Sequence, residues 1–149
     1  MVGEDFMNLR KCAAVLSAAC LMLGGAALPS QANGIAFAYA PEQGGGVCVG
    51  EDAASTIDCA RQKCAENTGS IEDCAPMAWC EGPGWSAGVG VMHKEGIHWS
   101  EFTCGWPSRE AAIAAAKVLC DLSFREYIQS CSAGVIYDPE GNEIILDGE

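Results

Sequence analysis

The sequence is poor in positive charge. Its 8 lysines and arginines stand against 20 aspartates and glutamates, for a formal net charge of −12 at neutral pH. So acidic a chain repels phosphate backbones and anionic lipid surfaces, which excludes nucleic acid as an expected partner. The acidity reads first as solubility outside the cytoplasm and second as an acidic docking face. Histidine is scarce as well, with only His93 and His98. No two cysteines have the Cys-x-x-Cys spacing of a structural zinc site, which argues against zinc. A long apolar run is also missing: the stretch from Cys12 to Leu28 is shorter than the roughly 20 residues of a spanning helix and is broken by Gly24, Gly25 and Pro29.

What stands at the N-terminus is the pattern of a cleaved leader. Glu4 and Asp5 are foreign to a signal peptide, whereas a start at Met7 puts Arg10 and Lys11 directly ahead of the apolar run. Ser30 and Ala32 fit a signal-peptidase site, so residues 1–32 are expected to be removed and residues 33–149 to form one mature domain with no stable membrane span. A lipoprotein reading would use Cys20, but Ser17 occupies the place of the aliphatic residue that such a motif needs. The expected location is therefore the periplasm or the medium.

Removing the leader leaves eight cysteines, Cys48, Cys59, Cys64, Cys74, Cys80, Cys104, Cys120 and Cys131. In an oxidising compartment disulfides are the default. An internal repeat narrows the choice. One constant offset lays Cys48 on Cys104, Ile57 on Ile113 and Cys64 on Cys120, and Cys80 then matches Cys131 across a shorter connection. Repeat one covers about residues 35–82 and repeat two about 85–134, with a hairpin and acidic tail over 135–149.

Each repeat reads as strand, strand, helix, strand, the last strand lying near Met77 to Cys80 or Tyr127 to Cys131. Ile35, Phe37 and Tyr39 alternate with alanines, and Val89 and Val91 with glycines, as strands do. Gly44 to Gly46 and Lys94 to Gly96 read as hairpin turns. Asp52 and Ser108 are good N-caps, predicting helices over Ala53 to Cys64 and Ala111 to Leu119. The fold class is thus α+β: a duplicated unit forming an antiparallel sheet with two short helices.

Equivalent cysteines in a duplicated unit should make equivalent bonds, which predicts Cys64–Cys80 and Cys120–Cys131. Cys59 and Cys74 lack counterparts and are assigned to each other as an added pair, which leaves Cys48–Cys104 to join the copies. Cys59 and Cys64 themselves lie about 140° apart around a helix and should not pair.

These residues resemble a bacterial secreted family, domain of unknown function 4189. The likeness is carried by Gly105-Trp106-Pro107-Ser108-Arg109-Glu110-Ala111-Ala112 leading to Cys120, by Tyr127 to Cys131 followed by Ser132-Ala133-Gly134, and by Ile35-Ala36-Phe37-Ala38-Tyr39 with Pro41. It spans about residues 35–135. What the resemblance implies is an exported or periplasmic α+β domain, sometimes proposed to act on host or competitor cells, with no catalytic residue transferred. Cys48, Cys59, Cys74 and Cys104 depart from the family's pattern.

Candidate chemistry is thin. Gly84-Trp85-Ser86-Ala87-Gly88 matches a nucleophile elbow in letters, but a strand rather than a helix follows, so it reads as a turn entering the second repeat. His93 and His98 flank a turn and could face each other across a hairpin, with Glu95 or Glu101 nearby, as a weak metal-site candidate. Asp138, Glu140, Asn142 and Glu149 mimic a calcium loop, yet Glu143 replaces the required glycine, and a terminal hairpin fits better. Trp79, Trp85, Trp99 and Trp106 are expected mainly in the core.

With all eight cysteines oxidised there is no thiol nucleophile, and no acid–base pair has a defined geometry. The expectation is a non-enzymatic binding module without a cofactor, acting as effector, inhibitor or envelope interaction protein on a protein partner outside the cytoplasm. The alternatives are a small hydrolase or toxin using His93 or His98, and a structural envelope protein.

Overall fold

Alternation of side chains along the strands decides the architecture. The computed structural model describes residues 34–146. These residues belong to one compact unit, Gln31–Glu149. The expected leader, and Glu149 of the calcium-like pattern, lie outside the described residues.

In chain order the elements are β1 (Gly34–Ala40), β2 (Gly44–Gly50), α1 (Ala53–Thr68), β3 (Ala75–Glu81), β4 (Trp85–His93), β5 (His98–Trp106), α2 (Arg109–Leu119), a 3₁₀ turn (Leu122–Phe124), β6 (Ile128–Tyr137) and β7 (Glu143–Ile145). The fold is α+β with two antiparallel sheets, one ordered β2-β1-β3 and the other β5-β4-β6-β7. Among the described residues no helix is long and apolar enough to cross a membrane.

Both helices start where a side-chain oxygen can take an otherwise unpaired amide. Asp52 accepts from the Ser55 amide at 3.0 Å, and Ser108 from the Ala111 amide at 3.2 Å. Helix α1 runs one turn beyond Cys64 and stops at Gly69, whose left-handed φ of 83° lets its amide close on the Ala65 carbonyl.

Period two then sorts β1 into faces. Ala36, Ala38 and Ala40 turn toward α1 and pack with Ala60 and Cys64, whereas Ile35 and Phe37 turn the other way and pack with Tyr137 of the second sheet. In β4, Ala87, Val89 and Val91 turn toward Ala112 and Ala116 of α2. The result is four layers, helix, sheet, sheet and helix, with a core in each of the three gaps. All four tryptophans pack against the two helix-side cores, Trp79 beside α1 and the others beside α2.

Three expectations about local structure change. Gly44 to Gly46 open strand β2, and residues 41–43 make the turn, with Glu42 in the left-handed region at φ 62°. Gly46 is required inside the strand because a Cβ there would lie 2.2 Å from the Ala60 carbonyl oxygen of α1. The segment from Trp85 is strand rather than turn, which places Ser86 inside β4. The strand expected over Tyr127 to Cys131 does not end at Cys131 but continues as β6 to Tyr137, where Asp138 closes the turn to β7 by accepting from the amides of Glu140 and Asn142.

The disulfides are Cys48–Cys59, Cys64–Cys74, Cys80–Cys104 and Cys120–Cys131. The expected Cys64–Cys80, Cys59–Cys74 and Cys48–Cys104 pairings are therefore wrong, and the reason is the facing of each strand residue. Cys48 stands across from Ala36, on the helix side, and so meets Cys59 of α1. Cys80 stands across from Ile35, on the side away from α1, where Cys64 cannot reach it. Cys131 stands across from Val91, on the α2 side, and there Cys120 does reach it.

Candidate functional site

Between the sheets, large side chains fill one half of the gap and leave the other half open. Phe37 stacks on Phe102 with ring centroids 4.5 Å apart and planes 14° from parallel, and Tyr137 meets Phe37 edge-on at 5.3 Å. The Cys80–Cys104 bridge links β3 to β5 in the same gap. Tyr137 is almost wholly buried, and that burial, with the Glu143 carboxylate as a second cause, raises its phenol well above the ordinary tyrosine range.

Beyond these rings lies a cleft of about 550 Å³. Tyr39 and Val47 line it from the three-stranded sheet; Gly90, Ser100, Phe102 and Gly134 line it from the four-stranded sheet. Lys63 and Asn67 of α1 and Glu143 of β7 also border it. Asn67 donates to the Gly45 carbonyl at 2.9 Å, which ties the last turns of the helix to the mouth of the cleft.

The floor is a sheet surface without bulk. Gly90, in the central strand, pairs with Ser100 of β5 and Ser132 of β6, so the three form one cross-strand row on a single face. Gly134 is the extra residue where the β4–β6 register shifts. Most glycines of this chain have a reason in the fold. A Cβ on Gly88 would sit 2.8 Å from Val135, and one on Gly84 2.9 Å from the Gly105 backbone, while Gly82, Gly96 and Gly105 take left-handed φ. Gly90 and Gly134 have neither reason: φ is not left-handed, and among the described residues nothing lies within 4 Å of where a Cβ would stand. Both line the cleft. Glycine inside a strand costs roughly 0.5–1 kcal/mol relative to alanine, and here no packing offsets it.

The histidines are not brought together. His98 stands across from Met92 in the β4–β5 ladder, so His93, the next residue in β4, projects from the opposite face. His98 lies 3.8 Å from Glu42 at the tip of the β1–β2 hairpin, whereas His93 accepts from the Glu95 amide and lies beside the Tyr127 ring. Among the described residues no three His, Cys, Asp or Glu side chains converge as metal ligands. Ser86 is fully buried, and its hydroxyl has no hydrogen-bond partner among the described residues.

The cleft itself was not legible as a site from sequence, although one signal existed. The alternation of Val89 and Val91 with Gly88 and Gly90 marks a strand with one bulky face and one bare face. No family model matches the chain, and neither a curated protein nor a solved structure shows significant similarity to it.

Proposed function

We propose that this chain is an exported binding module whose ligand enters the cleft between the two sheets. The observation that carries this reading is the pair Gly90 and Gly134. Each weakens its strand, neither is required by backbone or packing, and both keep the cleft open. A cleft of about 550 Å³ is within the range of small-molecule sites and of pockets that take one inserted segment of a partner. Four disulfides suit an oxidising compartment, in keeping with export to the periplasm or medium.

The same proposal includes descent from a duplicated strand-strand-helix-strand unit. In its support, β1, β2, α1 and β3 follow the order of β4, β5, α2 and β6, and in both sheets the first strand lies between the second and the last. The facing of the side chains favours aligning Ala36, Ala38 and Ala40 with Ala87, Val89 and Val91, which puts Cys74 rather than Cys80 on Cys131 and makes Cys64–Cys74 the counterpart of Cys120–Cys131. The resemblance to the secreted family with this strand and helix order belongs to this reading too.

The test is a fragment screen against the secreted, disulfide-intact protein, read by amide chemical shifts. Binding should move Gly90, Ser100 and Gly134 first, and Gly90→Leu, which projects bulk into open space, should abolish it while keeping the fold. Fragments that bind only elsewhere, or equally well to the leucine variant, would remove the cleft from consideration.

A further inference from the structure

Resting on the reading of the cleft as a ligand site, we propose that the ligand is a neutral saccharide, one pyranose ring of which lies flat over Gly90 and Gly134. Shape carries the first part of the argument. Packed sheets stand about 10 Å apart, a gap normally filled by interdigitating side chains from both inner faces. Over Gly90 and Gly134 the floor contributes none, and Tyr39 lines the cleft from the facing sheet. That bare floor, formed by two glycines that are themselves exposed, gives a flat ring a surface to lie on.

Chemistry carries the second part. A pyranose has two faces of C–H groups and a perimeter of hydroxyls. The cleft matches that division, with Tyr39, Phe102 and the bare floor as apolar lining, and Ser100, Asn67, Lys63 and Glu143 as polar groups. A purely apolar ligand would strip water from those polar groups without replacing its hydrogen bonds. Charge adds a constraint, because Lys63 and Glu143 cancel within the lining while the whole chain carries −12, so an anionic ligand gains nothing locally and is repelled at range.

An extended peptide fits less well. The usual mode of strand recognition adds the peptide to a free sheet edge, but β4 lies between β5 and β6, so Gly90 offers a face and no free edge.

The experiment titrates the secreted protein and its Gly90→Leu variant with chitotriose, cellotriose and maltotriose, each to about 10 mM, alongside a neutral tyrosine-containing tripeptide, following amide shifts and heat. At least one saccharide should saturate the shifts of Gly90, Ser100 and Gly134, and the variant should bind it at least about tenfold more weakly with an undiminished melting temperature. If the tripeptide moves those amides and no saccharide does, the ligand class is wrong and the cleft stands. Saccharide binding that Gly90→Leu leaves intact places the sugar elsewhere and also overturns the proposal. If nothing in the titrations or in the fragment screen moves those amides, this inference and the binding reading fall together.

Discussion

Cys80 stands directly across from Ile35 in the β1–β3 ladder, and from that position its sulfur faces the second sheet and bonds to Cys104. This bridge joins the two sheets, whereas each of the other three disulfides among the described residues ties a strand or loop to a helix residue or cap. Proteolysis of the unreduced protein should therefore release a peptide pair containing Cys80 and Cys104, and none linking Cys48 to Cys104. Closing a loop of sequence separation 24 is worth roughly 3 kcal/mol in the chain-entropy model. The Cys80→Ala, Cys104→Ala double variant should lose about that much in urea unfolding, and an unchanged midpoint would show that the sheets hold together without the staple.

Ser86 presents the opposite case, a polar group that the fold does not use. Its hydroxyl is buried with no hydrogen-bond partner among the described residues, and leaving a buried hydroxyl unpaired costs about 1–3 kcal/mol. Ser86→Ala removes the hydroxyl while keeping most of the volume. The variant should be more stable by roughly 1 kcal/mol, measured as a raised urea midpoint at constant slope. A loss of stability would mean that the hydroxyl is satisfied in solution.

How much of this was legible beforehand depends on whether a feature is local. The caps Asp52 and Ser108, the alternation in β1 and the terminal hairpin depend on neighbours a few residues away, and all are where the sequence puts them. The disulfides needed more. Matching Cys48 to Cys104 by offset ignores which face each cysteine occupies, and a shift of one residue in a strand reverses that face. The role of Gly46 depends on how closely α1 approaches β2, and the open space over Gly90 depends on how the two sheets meet, neither of which is a property of local sequence.

Arg125 and Glu101 make a two-pronged ion pair between the segment after the 3₁₀ turn and β5, and Arg125 also donates to the Leu119 carbonyl at 3.0 Å. Partial burial works against the Glu101 carboxylate, but hydrogen bonds from Arg125 and Trp99 override it and lower its pKa below the ordinary range. A lowered carboxylate pKa gives stability that is present above the unfolded value of about 4.3 and is lost as pH falls through the folded value. Arg125→Met should reduce stability by about 1 kcal/mol at pH 7 and flatten its decline between about pH 5 and pH 3. Equal acid sensitivity in variant and parent would assign the decline to other carboxylates.

Tyr137 supplies the corresponding term on the alkaline side. Its phenol is pushed up by burial and by Glu143, so the folded state holds the proton more tightly than the unfolded chain does. Stability from this group is complete below the unfolded tyrosine value of about 10 and drains away as pH rises beyond it, because the unfolded chain ionises first. The useful quantity is the difference between the parent and a variant that lacks only this phenol. Urea unfolding of the parent and of Tyr137→Phe at pH 8 and near pH 11 should show the parent losing more, by about 1 kcal/mol or more. The phenylalanine keeps the edge contact with Phe37 and removes only the titrating group, so a parallel decline in both proteins would mean that Tyr137 ionises within the folded state, and that water reaches the inner end of the gap beside the cleft.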